Sequence, residues 1–162
     1  MRDRPASPDD HRRIEALIHR YAQLIDEGDF EGLGELFGQG RIVLEDGTVL
    51  AEGAEAVTAL YRATTRLHDD GTPRTLHVTT NVIVELEAGA ATAHARSYFT
   101  VLQQTPAVAL QPIAAGRYRD RFERREGAGP AGLGEWRFTE RMLLPRFYGD
   151  VHDHLLINLP PG

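Results

Sequence analysis

Apolar side chains recur every three or four residues early in the chain, and this spacing predicts an amphipathic helix from Asp10 onward. Gly28 follows the last apolar position, and glycine ends a helix well because it enters the left-handed conformation without a side-chain clash. Asp29 can then cap a second, shorter helix between Phe30 and Phe37. The apolar positions of the first helix are Ile14, Leu17, Ile18, Tyr21, Leu24 and Ile25.

The next part of the chain is predicted to form a hairpin and a third helix. Two short apolar runs, 41–44 and 48–50, flank the pair Asp46-Gly47, which is typical of a tight turn between two strands. After Gly53 the apolar spacing becomes helical again, and this helix is expected to end near residues 68–71.

Four strand-like segments follow, at 74–86, 90–103, 109–124 and 135–147. The last two are separated by a glycine-rich stretch, 126–134, which is interpreted as a flexible hairpin loop. Because helices and strands are segregated rather than alternating, the fold class is predicted to be α+β. Long antiparallel strands twist and curl, so we expect a cone-shaped sheet with three helices on its concave side and a pocket inside.

Length and composition narrow the picture further. The 162 residues predict one domain at 10–150, a flexible N-terminus at 1–9 and a C-terminal tail at 151–162. There is no cysteine, and all 18 basic residues are arginine, which excludes thiolate chemistry and lysine Schiff bases. A formal charge of −6 argues against nucleic acid as the main partner. Without a signal sequence or an apolar span, the protein is expected to be cytoplasmic, with no membrane partner.

Two stretches carry a resemblance to a known family. The first helix ends with Tyr21-Ala22-Gln23-Leu24-Ile25-Asp26, and a later strand begins Thr75-Leu76-His77-Val78-Thr79-Thr80-Asn81. In this order they resemble the SnoaL-like branch of the nuclear transport factor 2-like superfamily over roughly residues 10–150. Scytalone dehydratase, hexachlorocyclohexane dehydrochlorinase and bile acid 7α-dehydratase are the functional parallels within it.

The resemblance implies a set of catalytic residues. These families place a histidine and an aspartate in the mouth of the cone, and His77 and Asp26 occupy the matching positions. Tyr21 matches a pocket tyrosine of the bile acid dehydratase, whose hydroxyl is thought to help the reacting carbonyl or leaving group. Arg141 matches a functional arginine of the dehydrochlorinase.

A neutral imidazole backed by a carboxylate is a competent general base near neutral pH. It can remove a proton beside a carbonyl, and the loss of a leaving group or reprotonation that follows requires no metal, cofactor or covalent step. Each residue also has a structural alternative. His77 suits a hydrogen-bonded position in a half-buried strand, Asp26 a turn between helices, and Tyr21 the apolar core.

The orientation of Arg141 depends on the register of its strand. Strict alternation places Arg141 on the face opposite Trp136, Phe138 and Met142. If that aromatic face packs under the helices, Arg141 points outward and the implied role fails.

A cluster of histidines and aspartates follows the last strand. Imidazole and carboxylate groups can bind zinc or iron, but a cluster in a terminal tail is more simply solvated and incidental, so no metal site is expected. The cluster comprises Asp150, His152, Asp153 and His154.

Arg117, Arg119 and Arg121 are expected to share one face of a strand, alternating with Tyr118, Asp120 and Phe122. We interpret this arginine face as an ion-paired sheet surface or an oligomer contact. The resemblance implies a homodimer or homotrimer, because folds of this kind commonly pack sheet against sheet.

Two classes of function remain open at the level of sequence. The first is a cofactor-independent lyase or isomerase, of the dehydratase or cyclase kind, that acts on a small and largely apolar carbonyl or polyketide-like molecule. The second is a non-catalytic module, either a binder of small molecules or an assembly subunit that resembles the small subunit of aromatic-ring dioxygenases, because a fold by itself does not fix function.

Overall fold

Helix α1 runs from Pro8 to Glu27 and buries the apolar stripe that the sequence predicts, from Ile14 to Ile25. A computed structural model describes residues 8–86, 89–127 and 135–159. Most of the expected flexible N-terminus, 1–9, and most of the glycine-rich loop, 126–134, lie outside these ranges. The remaining helices are α2 (Phe30–Leu36) and α3 (Ala54–Thr64).

The turn between α1 and α2 follows the expected chemistry. Gly28 has a φ of 74°, which places it in the left-handed region that glycine tolerates best. Asp29 Oδ1 accepts a hydrogen bond of 2.8 Å from the backbone N–H of Gly32 and caps α2. This tight turn fixes the direction in which the last residues of α1 project.

Six strands form one sheet in the order β2-β1-β6-β5-β4-β3. The strands are β1 (Arg41–Leu44), β2 (Val49–Glu52), β3 (Thr75–Glu85), β4 (Thr92–Gln103), β5 (Gln111–Arg125) and β6 (Glu135–Tyr148). The α+β prediction is confirmed, but the sheet is mixed rather than antiparallel, because β1 pairs with β6 in parallel. The residues of β1 alone do not indicate that its partner strand comes from the far end of the chain and runs parallel to it.

The long strands alternate as the sequence predicts. Tyr118 and Asp120 of β5 point toward the helices and are buried, whereas Arg117, Arg119 and Arg121 are exposed on the outer face. The inward residues of β4, from Ala93 to Val101, complete a core between the concave face and the helices.

A bulge in β6 changes this alternation. Thr139 is one extra residue between Phe138 and Glu140, which pair with successive residues of β5. A single inserted residue exchanges the two faces of a strand. Phe138 and Arg141 therefore both point toward the helices, and Arg141 is 0% exposed. The expectation that an inward aromatic face would turn Arg141 outward is wrong for this reason.

The tail after β6 is partly packed, so the expectation of a solvated histidine and aspartate cluster is wrong for His154, although Asp150 and His152 are exposed. The backbone N–H of Arg66 donates to the carbonyl oxygen of His154 at 2.8 Å, and that of Leu156 donates to Thr64 at 2.9 Å. These bonds hold the residues after Thr64 in an extended conformation. α3 therefore ends at Thr64, earlier than the apolar spacing predicts. The segment 150–157 consequently forms part of the domain.

No helix within the described ranges is both long enough and apolar enough to cross a membrane.

Candidate active site

A cavity of about 340 Å³ lies between the concave face of the sheet, the helices α1 and α3, and the segment 150–157. Most of its wall consists of aliphatic and aromatic side chains. A few residues with polar groups interrupt this apolar lining, among them His77, His154, Tyr21, Tyr61 and Tyr118. An apolar cavity with a few converging polar groups is the usual form of a small-molecule site.

The structure brings Asp26 and His77 together at one side of this cavity. Asp26 lies in the last turn of α1, and His77 is the third residue of β3, on which α1 packs. His77 Nδ1 is 2.6 Å from Asp26 Oδ1, and the side chain of His77 is only 7% exposed. His77 and Asp26, which the resemblance implies to be paired, are thus within hydrogen-bond distance of each other.

The carboxylate of Asp26 also holds the start of β3. Its Oδ2 accepts a 2.8 Å hydrogen bond from the backbone N–H of His77, and its Oδ1 accepts another of 2.8 Å from the hydroxyl of Thr75. A neutral imidazole that donates its Nδ1–H to this carboxylate presents Nε2 as an acceptor. The arrangement fixes both the orientation and the tautomer of His77.

Three tyrosines meet beside the cavity. The hydroxyls of Tyr21 and Tyr61 are 2.5 Å apart, and the ring centroids of Tyr21 and Tyr118 are separated by 5.7 Å. Burial raises the pKa of all three phenols, but Arg141 opposes this effect most effectively at Tyr21. The pKa of Tyr21 is therefore raised less than those of Tyr61 and Tyr118, which makes Tyr21 the best hydrogen-bond donor of the three.

Tyr61 and Tyr118 were not predicted as site residues. Tyr61 lies on the apolar stripe of α3, and Tyr118 alternates with arginines along β5, so each has the pattern of an ordinary core residue. Only the tertiary contact with Tyr21 distinguishes them.

Arg141 lies behind the tyrosines and is not part of the cavity wall. It makes two hydrogen bonds to the carboxylate of Asp120, at 2.8 and 2.7 Å. Its guanidinium lies 3.9 Å from the ring centroid of Tyr118 and 4.1 Å from that of Tyr21. Burial lowers the pKa of Arg141, but the carboxylate of Asp120 more than offsets this and raises it overall. Arg141 is therefore a permanent cation that acts on the cavity through two aromatic rings.

His154 is not among the predicted site residues, because its cluster in the tail is interpreted as solvated. The centroid of its ring lies 6.4 Å from that of His77 across the cavity. Its Nδ1 is buried and has no hydrogen-bond partner among the described residues. Burial, followed by the nearby His77, lowers the pKa of His154 to about 4. The ring is therefore neutral at physiological pH.

The other members of the tail cluster do not join this site. The side chain of His152 is 89% exposed, and the carboxylate of Asp153 accepts a 2.6 Å hydrogen bond from Thr105. Across residues 8–86, 89–127 and 135–159, no three imidazole or carboxylate groups converge as a metal site would require.

Comparison with known protein families identifies one family that matches most of the chain. Residues 7–142 match the profile of a SnoaL-like domain. No curated protein matches the chain significantly.

Several solved structures share the fold. An NTF2-like protein with a cystatin-like fold from Novosphingobium aromaticivorans is 27% identical, covers 83% of this chain and 80% of its own, and has a TM-score of 0.62. A protein of unknown function from Mycobacterium tuberculosis is 26% identical over 86% of this chain and 78% of its own, with a TM-score of 0.66. A candidate scytalone dehydratase from Novosphingobium aromaticivorans is 20% identical over 88% and 87%, with a TM-score of 0.62. At 20% identity this last likeness extends to the fold alone.

Proposed function

The chain belongs to the SnoaL-like domain family, and from its apolar cavity and paired Asp26 and His77 we propose that it is a cofactor-independent lyase or isomerase of the dehydratase or cyclase type. The observation that carries the proposal is the 2.6 Å contact between His77 Nδ1 and Asp26 Oδ1 at the wall of the cavity. The apolar lining favours a small and largely apolar carbonyl compound as substrate.

In the proposed reaction, His77 Nε2 removes a proton from the carbon next to the substrate carbonyl. The C–H electron pair moves toward the carbonyl oxygen, which becomes an enolate, and His77 becomes an imidazolium. Asp26 stabilises this imidazolium through the Nδ1 hydrogen bond. A histidine without a carboxylate at this position would be a less well oriented base.

The enolate needs a hydrogen-bond donor, and Tyr21 is the residue best placed to supply one. Tyr21 lines the cavity, its hydroxyl contacts that of Tyr61, and the positive charge of Arg141 lies against its ring. Donors that are already oriented in a cavity of low polarity stabilise developing negative charge more effectively than water does. Arg141 is accordingly a positioning residue that acts through Tyr21.

The same enolate can lead to more than one product. If the next carbon carries a hydroxyl group, its C–O bond breaks, a carbon–carbon double bond forms, and the imidazolium of His77 returns the proton to give water. If there is no leaving group, reprotonation at another carbon gives an isomer. The proton transfer to His77 is common to these outcomes, so it is the step to test.

Exchange of the α-hydrogens of 1-tetralone in deuterated water, followed by proton NMR, measures this step directly. We expect the wild type to accelerate exchange and His77→Gln to lower that acceleration by roughly 10²- to 10⁴-fold. Asp26→Asn should lower it at least 10-fold because the tautomer of His77 is no longer fixed. Tyr21→Phe should cost about 10²-fold through the lost donor.

His94→Gln is the matched control, because His94 is an exposed histidine on β4 and lies away from the cavity. Exchange in this variant should equal that of the wild type. If the wild type binds 1-tetralone but does not accelerate exchange, the lyase proposal is wrong and a non-catalytic binding module becomes the better interpretation.

A further inference from the structure

His154 is held in the cavity wall by backbone bonds on both sides. Its N–H donates to the carbonyl oxygen of Val151 at 3.0 Å, and its own carbonyl oxygen accepts from Arg66. The carbonyl oxygen of the preceding Asp153 accepts hydrogen bonds from His68 at 3.0 Å and from Gln103 at 3.2 Å. A segment fixed at so many points gives the ring of His154 a defined position.

The surroundings of His154 determine its tautomer. Burial, His77 and His68 lower the pKa of His154, the carboxylate of Asp26 opposes them, and the net result is a ring that is uncharged at neutral pH. In a neutral imidazole one nitrogen carries the proton and the other is an acceptor. Buried N–H groups without a partner are rarer than buried acceptors without one. The proton therefore belongs on Nε2, because Nδ1 is buried and unpartnered among the described residues.

The two imidazoles of the cavity then have complementary roles. His77 presents an acceptor, since its Nδ1–H is engaged by Asp26. His154 presents a donor through Nε2–H, the ring nitrogen that remains for a ligand. An oxygen atom hydrogen-bonded to both rings can bridge ring centroids up to roughly 8 Å apart, and the observed separation is 6.4 Å.

We propose that His154 is a specificity-determining residue: with His77 it binds one hydroxyl group of the ligand, which accepts from His154 and, in the resting complex, donates to His77, a contact that breaks before His77 Nε2 removes the α-hydrogen. A carbonyl oxygen could only accept and an ammonium group could only donate, so a hydroxyl is the group that satisfies both imidazoles. The preferred ligand is therefore a carbonyl compound that also carries an alcohol. This inference rests on the function proposed above for the same cavity.

The test compares the binding of 1-tetralone and 4-hydroxy-1-tetralone, measured by NMR titration of the intact protein. We expect the wild type to bind the hydroxylated ketone roughly three- to tenfold more tightly, the effect of one well-made hydrogen bond. His154→Phe, which keeps an aromatic ring but no hydrogen-bonding group, should remove this preference, so that the variant binds the two ketones with affinities equal within about twofold. His152→Phe, an exposed change in the same segment, should retain the preference.

The nitrogen-15 shifts of His154 provide a second measurement that needs no variant. We expect the neutral Nε2–H tautomer in the free protein and a change at Nε2 when 4-hydroxy-1-tetralone is added. A protonated Nδ1, equal affinities for the two ketones in the wild type, no binding of either ketone, or an unchanged preference in His154→Phe would each overturn the inference.

The two proposals can fail separately. A preference for the hydroxylated ketone without accelerated α-hydrogen exchange would support the role of His154 and contradict the lyase proposal. Accelerated α-hydrogen exchange without a preference for the hydroxylated ketone would support the lyase proposal and contradict the role of His154.

Discussion

The side chain of Arg141 is a fully buried charge that is paired through two of its nitrogens, Nε and Nη2, whereas Nη1 has no hydrogen-bond partner among the described residues. Two hydrogen bonds to Asp120 and the faces of Tyr21 and Tyr118 surround the guanidinium. A buried ion pair contributes little net stability, but removal of one partner typically costs about 3–5 kcal/mol because the other charge is left uncompensated. Arg141 thus ties the chemistry of Tyr21 to the stability of the sheet.

His154 should make the protein sensitive to acid. Its pKa is about 4 in the folded protein and about 6.5 in an unfolded chain. The unfolded chain therefore binds more protons between these values, and stability falls as the pH falls from about 6.5 to 4. Urea unfolding at pH 7 and pH 4 should show that His154→Phe loses on the order of 2–3 kcal/mol less than the wild type over this interval.

The exposed neighbour of His154 supplies the control for this measurement. His152→Phe should lose as much stability on acidification as the wild type. An equal loss in His154→Phe would mean that the imidazole of His154 is already solvated in the folded state.

Among single residues, the predictable members of the site were those with a local signal. Asp26 at a helix end and His77 in a β-branched strand occupy positions that a family resemblance can identify. His154 had no such signal, because only its docking onto Thr64–Arg66 distinguishes it from the exposed His152. The orientation of Arg141 was not predictable either, since the bulge at Thr139 is defined by pairing with another strand.

The geometry of the site depends at the level of elements on how α1 meets β3. Gly28 directly follows α1, and a Cβ atom there would collide with the carbonyl oxygen of Gly71 in the loop that leads to β3. The turn after the helix that carries Asp26 and the loop before the strand that carries His77 are therefore packed backbone to backbone at this point. Close contact of this kind sets the distance between the carboxylate and the imidazole.

Gly28→Ala should consequently be more destabilising than Gly71→Ala. Both glycines have positive φ angles, 74° and 77°, so both substitutions carry the left-handed penalty of about 1–2 kcal/mol. Only at Gly28 does the added methyl group meet neighbouring atoms, which adds about 1–3 kcal/mol of overpacking. Urea unfolding of the two variants should give this difference, and equal destabilisation would show that the loop at Gly71 moves aside freely.

The ends of helices and strands agree with the prediction where they depend on neighbouring residues. They differ from it where they depend on contacts with a distant part of the chain. Gly28 and Asp29 ended and began helices as predicted. α3 ends at Thr64 because the tail pairs with the following residues, as in the bridge between Thr65 and Leu155. The parallel pairing of β1 with β6 likewise joins segments that are about a hundred residues apart.

At the scale of the whole molecule, the outer face of the sheet is the surface that remains uncovered. Leu76 is 62% exposed, Val78 41% and Tyr98 44%, and these residues lie on adjacent strands β3 and β4. The arginine face adjoins them, with Arg117 stacked 4.8 Å from the ring centroid of Tyr98. Contiguous apolar surface of this kind is typical of contacts between proteins.

We predict that the protein forms a dimer or trimer through this face. The double variant Leu76→Glu with Val78→Glu should shift the assembly to monomer in sedimentation experiments at tens of micromolar protein, because carboxylates would have to be buried in the contact. Leu110→Glu, a change at a residue that is 64% exposed in the loop before β5, should leave the assembly intact. A monomeric wild type would contradict the prediction.

The position of His154 beyond the last strand has a consequence for how the protein is made. Synthesis proceeds from the N-terminus, so all three helices and all six strands leave the ribosome before the segment that closes the cavity. A nascent chain can therefore assemble its core while its apolar interior is still open on one side. Ligand binding of the proposed kind becomes possible only after residues 150–157 have been synthesised, and a chain cut short after β6 would lack both His154 and the apolar side chains beside it that line the cavity.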